Sequence, residues 1–287
     1  MSEKLLKEWG KVCINGKLVA AEEATVSAID RGFLYGDGIF ETIRVYKGVP
    51  FMLDAHLARM AEGCSVISMP PPNMEQVKLW VEETLSANYL SDAYLRITAT
   101  RGATGLLWYD LDTSSVTVVI MAKPMVQERF SEGLRLMVSS FRSDELSPLS
   151  RIKHTGILWK IMARAEARRA GVDDALLLNT KGHVSEATAA NIFWVCDGKL
   201  FTPALDCGIL AGITRAIVIE IANAVGIETQ EGYFTLDDVF NAEEVFLTSS
   251  TRELVPVRSL GDKQFGDMGY GRMTKLLLSL YQERLPS

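Results

Sequence analysis

Few of the residues that build metal centres or disulfide frameworks occur in this chain. Among its 287 residues are 4 cysteines and 3 histidines. Cys13, Cys64, Cys196 and Cys207 are scattered without a CxxC spacing and read as reduced, buried thiols, which excludes a stapled secreted scaffold. His56, His154 and His183 lie far apart, so a histidine-built metal site is not expected. No apolar run approaches the roughly 20 residues that cross a bilayer as a helix. A basic excess is also missing. The 30 Lys and Arg residues face 36 Asp and Glu, a net charge of −6 that leaves nothing over for a nucleic-acid backbone. The opening MSEKLLKEWGK has no basic-then-apolar leader, and the expected location is cytoplasmic. Internal repeats and low-complexity tracts are lacking as well.

With 48% hydrophobic and 23% charged residues, the chain has the composition of a globular protein long enough for two domains. Asn15-Gly16 joins two short apolar runs over residues 11–20, a hairpin signal. Gly32, Gly36 and Gly38 interrupt the next stretch, after which Ile39 to Tyr46 reads as a strand. Helices are expected over about 54–66 and 73–90, separated by Pro70-Pro71-Pro72. Strands are expected over 94–100 and 116–121, joined by a loop whose apolar Leu106-Leu107-Trp108 suggests a cover or a partner chain. Residues 124–133 are polar and unperiodic. They predict a linker between a first domain, 1–123, and a second, 134–287.

The organising stretch of the second half runs from Arg151 to Val195. Lys153 stands in a polar segment ahead of an amphipathic helix. One stripe of that helix carries Leu158, Ile161, Met162 and Ala165, and another carries Lys160, Arg164 and Arg168. An apolar strand over 191–195 follows, preceded by Glu186. A lysine held at the mouth of an element, with a carboxylate arriving from a later strand, suits Schiff-base chemistry. A solvated surface lysine is the alternative.

Two places suit an anion. Gly212-Ile213-Thr214 begins a predicted helix, whose free amides and dipole favour a phosphate, although Thr214 also serves as a plain N-cap. The hydroxyl run Thr248 to Thr251 ends a strand and reads equally as a turn. Arg59, in HLARM, is either the matching cation or a solvated helix charge. Arg96 sits mid-strand between apolar neighbours, where a charge is costly unless paired with a protein carboxylate or a substrate carboxylate. Tyr94 shares its face. Gly36-Asp37-Gly38 follows no strand, which excludes a dinucleotide fingerprint.

In chain order, DRGFLYGDGIFETIR (30–44), HLARM (56–60), YLRITATRG (94–102), RIKHTG (151–156), HVSEATAANIFW (183–194), GITR (212–215) and FLTSSTRELVPV (246–257) resemble one family. It is that of the class IV, fold-type IV pyridoxal-phosphate enzymes. Branched-chain and D-amino-acid aminotransferases, (R)-selective amine transaminases and 4-amino-4-deoxychorismate lyase are members. The resemblance covers nearly the whole chain, including the 33-residue spacing from Lys153 to Glu186.

It implies an α+β fold with a small N-terminal domain and a larger C-terminal pseudo-barrel domain, the cofactor lying between them. Lys153 would hold pyridoxal 5'-phosphate as an internal aldimine and move the proton between substrate Cα and cofactor C4′. Glu186 would face the pyridine nitrogen. Arg59, Ile213, Thr214 and Ser250 would hold the phosphate, and Tyr35, Phe40, Tyr94, Arg96 and Thr251 would line the substrate pocket. The implied reaction moves an amino group between an amino acid, branched-chain-like or similar, and a 2-oxo acid, in a homodimer.

The chain also departs from its relatives. Leu158 stands where branched-chain aminotransferases usually have a tyrosine, and Ala103-Thr104-Gly105-Leu106 lacks the arginine-histidine trap of D-amino-acid aminotransferases. Lys153-His154 and ATAANIFW are similar to the lyase, whereas Glu41 and Gly156 are not. The lyase and a D-amino-acid or (R)-amine transaminase therefore stand as alternatives. A non-catalytic protein binding a phosphate ligand is a third reading of the same groups.

Overall fold

The computed structural model describes residues 8–103, 107–112, 116–126, 130, 132–266 and 269–286. The chain divides into two compact units. One takes in Met1–Gln127, Ile152–Gly156 and Pro286–Ser287, the other Glu128–Arg151 and Ile157–Leu285.

In the first unit the Asn15-Gly16 dipeptide turns β1 (Lys11–Ile14) into β2 (Lys17–Ala20), both turn residues having positive φ. A five-residue helix, α1 (Arg31–Tyr35), follows, capped by the Asp30 side chain on the Gly32 amide. Next come β3 (Gly38–Tyr46), β4 (Val49–Pro50), α2 (Leu53–Val66), α3 (Met74–Ala87), β5 (Ala93–Thr100) and β6 (Thr117–Pro124). The six strands form one antiparallel sheet in the order β2-β1-β6-β5-β3-β4. Alternate residues of β5 (Ala93, Leu95, Ile97 and Ala99) are buried. They join Ile39, Ile43, Leu57, Met60 and Val81 in the core, as a strand period of two beside helical spacing requires. Tyr94, Arg96 and Thr98 therefore share the opposite face of β5.

The second unit contains β7 (Leu134–Ser143), α4 (Leu158–Arg169), β8 (Asp174–Asn179), β9 (Val184–Ala187), β10 (Asn191–Cys196) and β11 (Lys199–Pro203). After these come α5 (Ile213–Ala224), β12 (Thr229–Gly232), α6 (Leu236–Phe240), β13 (Glu244–Ser249), β14 (Glu253–Leu260), β15 (Lys263–Gln264) and α7 (Arg272–Gln282). Its sheet runs β12-β11-β10-β13-β14-β7-β8-β9, with β15 on β14. The sheet is mixed, because β7 lies parallel to both β14 and β8. Trp194 of this core stacks on Phe201, and the partly buried Phe234 meets both rings edge-on.

The structure decides which stripe of α4 faces the sheet. Its Leu158, Ile161 and Met162 are exposed, and Ala163 and Ala167 are the buried residues. Small side chains let the helix lie close to β7 and β8. The charged stripe turns inward, Lys160 onto Glu186 and Arg164 onto Asp174. β9, which carries Glu186, and the short α1 were not anticipated; both are briefer than the periodicity of either element can reveal.

Candidate functional site

Five residues interrupt the second unit's run of sequence and belong to the first. Ile152 is buried in the first unit's hydrophobic core. The Phe40 amide donates to the Lys153 carbonyl at 2.9 Å, the Thr155 amide to the Gly38 carbonyl at 2.8 Å, and the Thr155 hydroxyl to the Gly36 carbonyl at 2.7 Å. His154 bridges Ile39. Gly36 has φ +68°, and a Cβ there would come within 3.0 Å of the Gly156 Cα, so only glycine suits this approach.

This stitching gathers several of the expected residues around Phe40. The Lys153 ammonium lies 4.6 Å from the Phe40 ring centroid, and the Arg96 guanidinium 3.9 Å from the same centroid. Arg96 also donates to Thr98 Oγ1 at 3.2 Å, and no described carboxylate pairs with it. Tyr94 meets Trp9 edge-on. Tyr35 ends α1 half exposed, with Arg31 over its ring at 5.0 Å.

Beside them lies a buried ionic cluster. Arg59 forks onto Glu41, Nε to Oε1 at 2.8 Å and Nη2 to Oε2 at 2.6 Å, and His56 Nδ1 lies 2.7 Å from Oε2. Glu41 is fully buried. Burial opposes its charge, but hydrogen bonds from His56 and Arg59 outweigh that and bring its carboxyl down to about 2. Burial also pushes His56 below its usual range, outweighing the pull of Glu41; the charges of Arg59 and Lys153 act in the same direction as burial. His56 is thus neutral at pH 7, with its Nδ1 proton donated to the carboxylate. Arg59 is not the solvated charge of the alternative reading, since its side chain is only 12% exposed.

In the second unit the organising side chain is Asn191. Its Nδ2 donates to Glu186 Oε2 at 3.1 Å and to the Leu210 carbonyl at 3.0 Å. Glu186 is buried. Its Oε2 also accepts from the Leu210 amide at 3.2 Å, while Oε1 accepts from Lys160 Nζ at 2.7 Å. A Cβ on Gly212 would collide with Asn191 Oδ1, so any larger residue entering α5 has to displace the Asn191 side chain. No side chain caps that helix, which leaves the Ile213 and Thr214 end without a side-chain acceptor. Asn191 is also in register with Thr248, whose hydroxyl is buried and has no hydrogen-bond partner among the described residues. Ser250 and Thr251 follow in the turn after β13, and neither hydroxyl bonds another described residue.

One unit therefore gathers Lys153, Phe40, Arg96 and Arg59, the other Glu186 and the α5 N-terminus. Glu41, His56, Lys160 and Asn191 were missed by sequence reasoning. Only Glu41 gave a signal, as a carboxylate directly after the apolar Ile39-Phe40 pair of a strand. Leu106 lies outside the described residues, while Leu107, Trp108 and Tyr109 are exposed and the Leu107 and Trp108 carbonyls accept from Arg31. Among the described residues no cluster of three His, Cys, Asp or Glu could hold a metal, and no helix is long and apolar enough to cross a membrane.

The family described as Amino-transferase class IV matches residues 38–260. A Methanocaldococcus jannaschii protein that provisionally bears the name branched-chain-amino-acid aminotransferase is 38% identical over 278 residues, 95% of this chain and 96% of that one. The D-alanine aminotransferase of Bacillus licheniformis is 30% identical over 287 residues, 96% of this chain and 98% of its own. Among solved structures, the Escherichia coli branched-chain amino acid aminotransferase superposes with a TM-score of 0.91 at 29% identity, covering 96% of this chain and 94% of that one.

Proposed function

The chain belongs to the class IV aminotransferases, and from that membership we propose that it uses pyridoxal 5'-phosphate to move an amino group from an amino acid to a 2-oxo acid. The observation that carries this reading is the fixing of Lys153. Its carbonyl is tied to β3, and its ammonium shares the Phe40 ring with the guanidinium of Arg96.

The residues present fit the cofactor. A buried carboxylate, a helix N-terminus without a side-chain cap and a buried hydroxyl without a partner match the needs of a ring nitrogen and a phosphate. When bound, the cofactor supplies the electron sink that makes the substrate Cα acidic. Lys153 would hold it through the side-chain amine and would carry the proton removed from Cα. Glu186 would face the ring nitrogen. Arg59, Ser250 and the backbone amides of Ile213 and Thr214 would hold the phosphate. Arg96, lacking a carboxylate partner of its own among the described residues, takes the substrate carboxylate. Tyr35, Phe40, Tyr94 and Thr251 shape the pocket around the side chain. A branched-chain-like substrate is favoured by the 38% identity to the Methanocaldococcus protein.

The protein acts as a cytoplasmic homodimer in this reading. Exposed Phe33, Leu34, Leu107 and Trp108 offer apolar surface for the partner chain.

The test is the visible spectrum of the purified protein before and after L-glutamate. A yellow protein that bleaches to the pyridoxamine form supports the proposal, and a protein colourless after incubation with pyridoxal phosphate defeats it. Lys153→Ala should abolish turnover with the fold retained; activity within about tenfold of wild type would defeat the assignment. Glu186→Gln should lose most turnover while keeping cofactor through the phosphate contacts. The Lys153-His154 pair favours a second reading, aminodeoxychorismate lyase. Release of 4-aminobenzoate without an amino acceptor would identify it.

A further inference from the structure

Lys160 stands on the solvent-facing helix α4, yet its side chain is only 21% exposed and its ammonium lies 2.7 Å from Glu186 Oε1. The Glu186 side chain is 4% exposed. Its other oxygen is occupied by Asn191 Nδ2 and the Leu210 amide, both neutral donors. Lys160 is thus a cation in direct ion pair with Glu186. A buried carboxylate stripped of its partner is strongly unfavourable, because the desolvation cost remains while the Coulomb attraction is lost.

In the reading above, the ring nitrogen of the cofactor, when protonated, is itself a cation for Glu186. We propose that Lys160 is a positioning residue: it supplies the counter-charge of Glu186 in the cofactor-free protein and holds the carboxylate in place until the ring nitrogen shares that role. Lys160 acts through Glu186 and makes no step of the reaction itself. The inference rests on the assignment of Glu186 to the ring nitrogen.

Its signature is a stability difference between two states of one variant. Lys160→Met keeps the aliphatic stem and removes the charge. In the cofactor-free protein it should lower the melting temperature by about 5 °C, and in the cofactor-loaded protein by less than about 2 °C, since the ring nitrogen replaces the missing cation. Lys160→Arg should restore both values to within about 2 °C of wild type. In a Glu186→Gln background, Lys160→Met should change neither state further, because the two residues act as one unit.

The measurement is thermal unfolding of wild type, both Lys160 variants, Glu186→Gln and the double variant, each with and without saturating pyridoxal phosphate. Equal losses with and without cofactor would overturn the proposal by making Lys160 a purely structural partner. Undiminished stabilisation of Glu186→Gln by the cofactor would instead overturn the ring-nitrogen assignment, and the proposal with it. Loss in the cofactor-free protein alone, cancelled by Glu186→Gln, would establish it.

Discussion

Glu41, His56 and Arg59 show how a charge is tolerated on a buried strand of an antiparallel sheet. The carboxylate receives two bonds from one guanidinium and one from a neutral imidazole. Breaking such a group costs more than the group is worth, since the remaining charge stays buried. Glu41→Ala should therefore cost about 3 kcal/mol or more in urea unfolding, and a loss below about 1 kcal/mol would contradict the buried pairing. The cluster also has a pH signature. His56 is depressed below its ordinary 6.5, so below that pH the unfolded chain binds a proton that the folded one resists. Glu41, held to about 2 against an ordinary 4.5, extends the same loss to lower pH. Both contributions are present above these ordinary values and fade as pH falls. Wild type should lose stability between pH 7 and pH 5, and His56→Gln should lose less over the same interval. Identical slopes would show that His56 is not the group responsible. Lys153 and Glu186 were singled out in the sequence because their surrounding motifs are distinctive. His56 and Lys160 were not, since a histidine or a lysine on a helix looks the same whether it faces solvent or a buried carboxylate.

At the scale of elements, α4 is the instructive case. Period 3.6 fixed the helix and its two stripes but not which stripe faces the sheet. Three large apolar residues ordinarily decide that choice, and here two alanines and two ion pairs do. Ala163→Leu should consequently destabilise the protein by about 1–3 kcal/mol, measured by urea denaturation, because the close approach to the sheet has no room for added methylenes. An effect near zero would mean that the helix stands off from β7 and β8. The entry to α5 has the same character. Gly212→Ala forces Asn191 to move, and with it a donor of Glu186. Cofactor affinity measured by spectroscopic titration should fall by about tenfold, and an unchanged affinity would show that Asn191 can relocate freely. Nothing in the sequence marks Asn191 as special, because its partners lie 5 and 19 residues away and meet it only once β9 and β10 are paired in the fold.

For the whole molecule, the two units and their sheets follow from two strand patterns that the sequence displays, alternating burial in β5 of the first unit and almost continuously buried apolar runs in β8 and β10 of the second. The reassignment of Ile152–Gly156 does not, because a five-residue segment has too little pattern to reveal which sheet receives it. Assembly is tested at this scale. Light scattering should give two chains per particle, and Trp108→Asp should shift the particle toward the monomer; a wild-type monomer would remove the reason for the exposed apolar surface. The Lys153 segment has one further consequence. A gene cut between codons 127 and 128 would not yield two self-sufficient proteins. The first fragment would lack the piece that supplies Ile152 to its core and the carbonyl that receives the Phe40 amide. The second fragment would carry that piece as an orphan loop. Co-expressed, the halves would have to find each other before the first could finish folding, so soluble yield of the first should depend on the presence of the second.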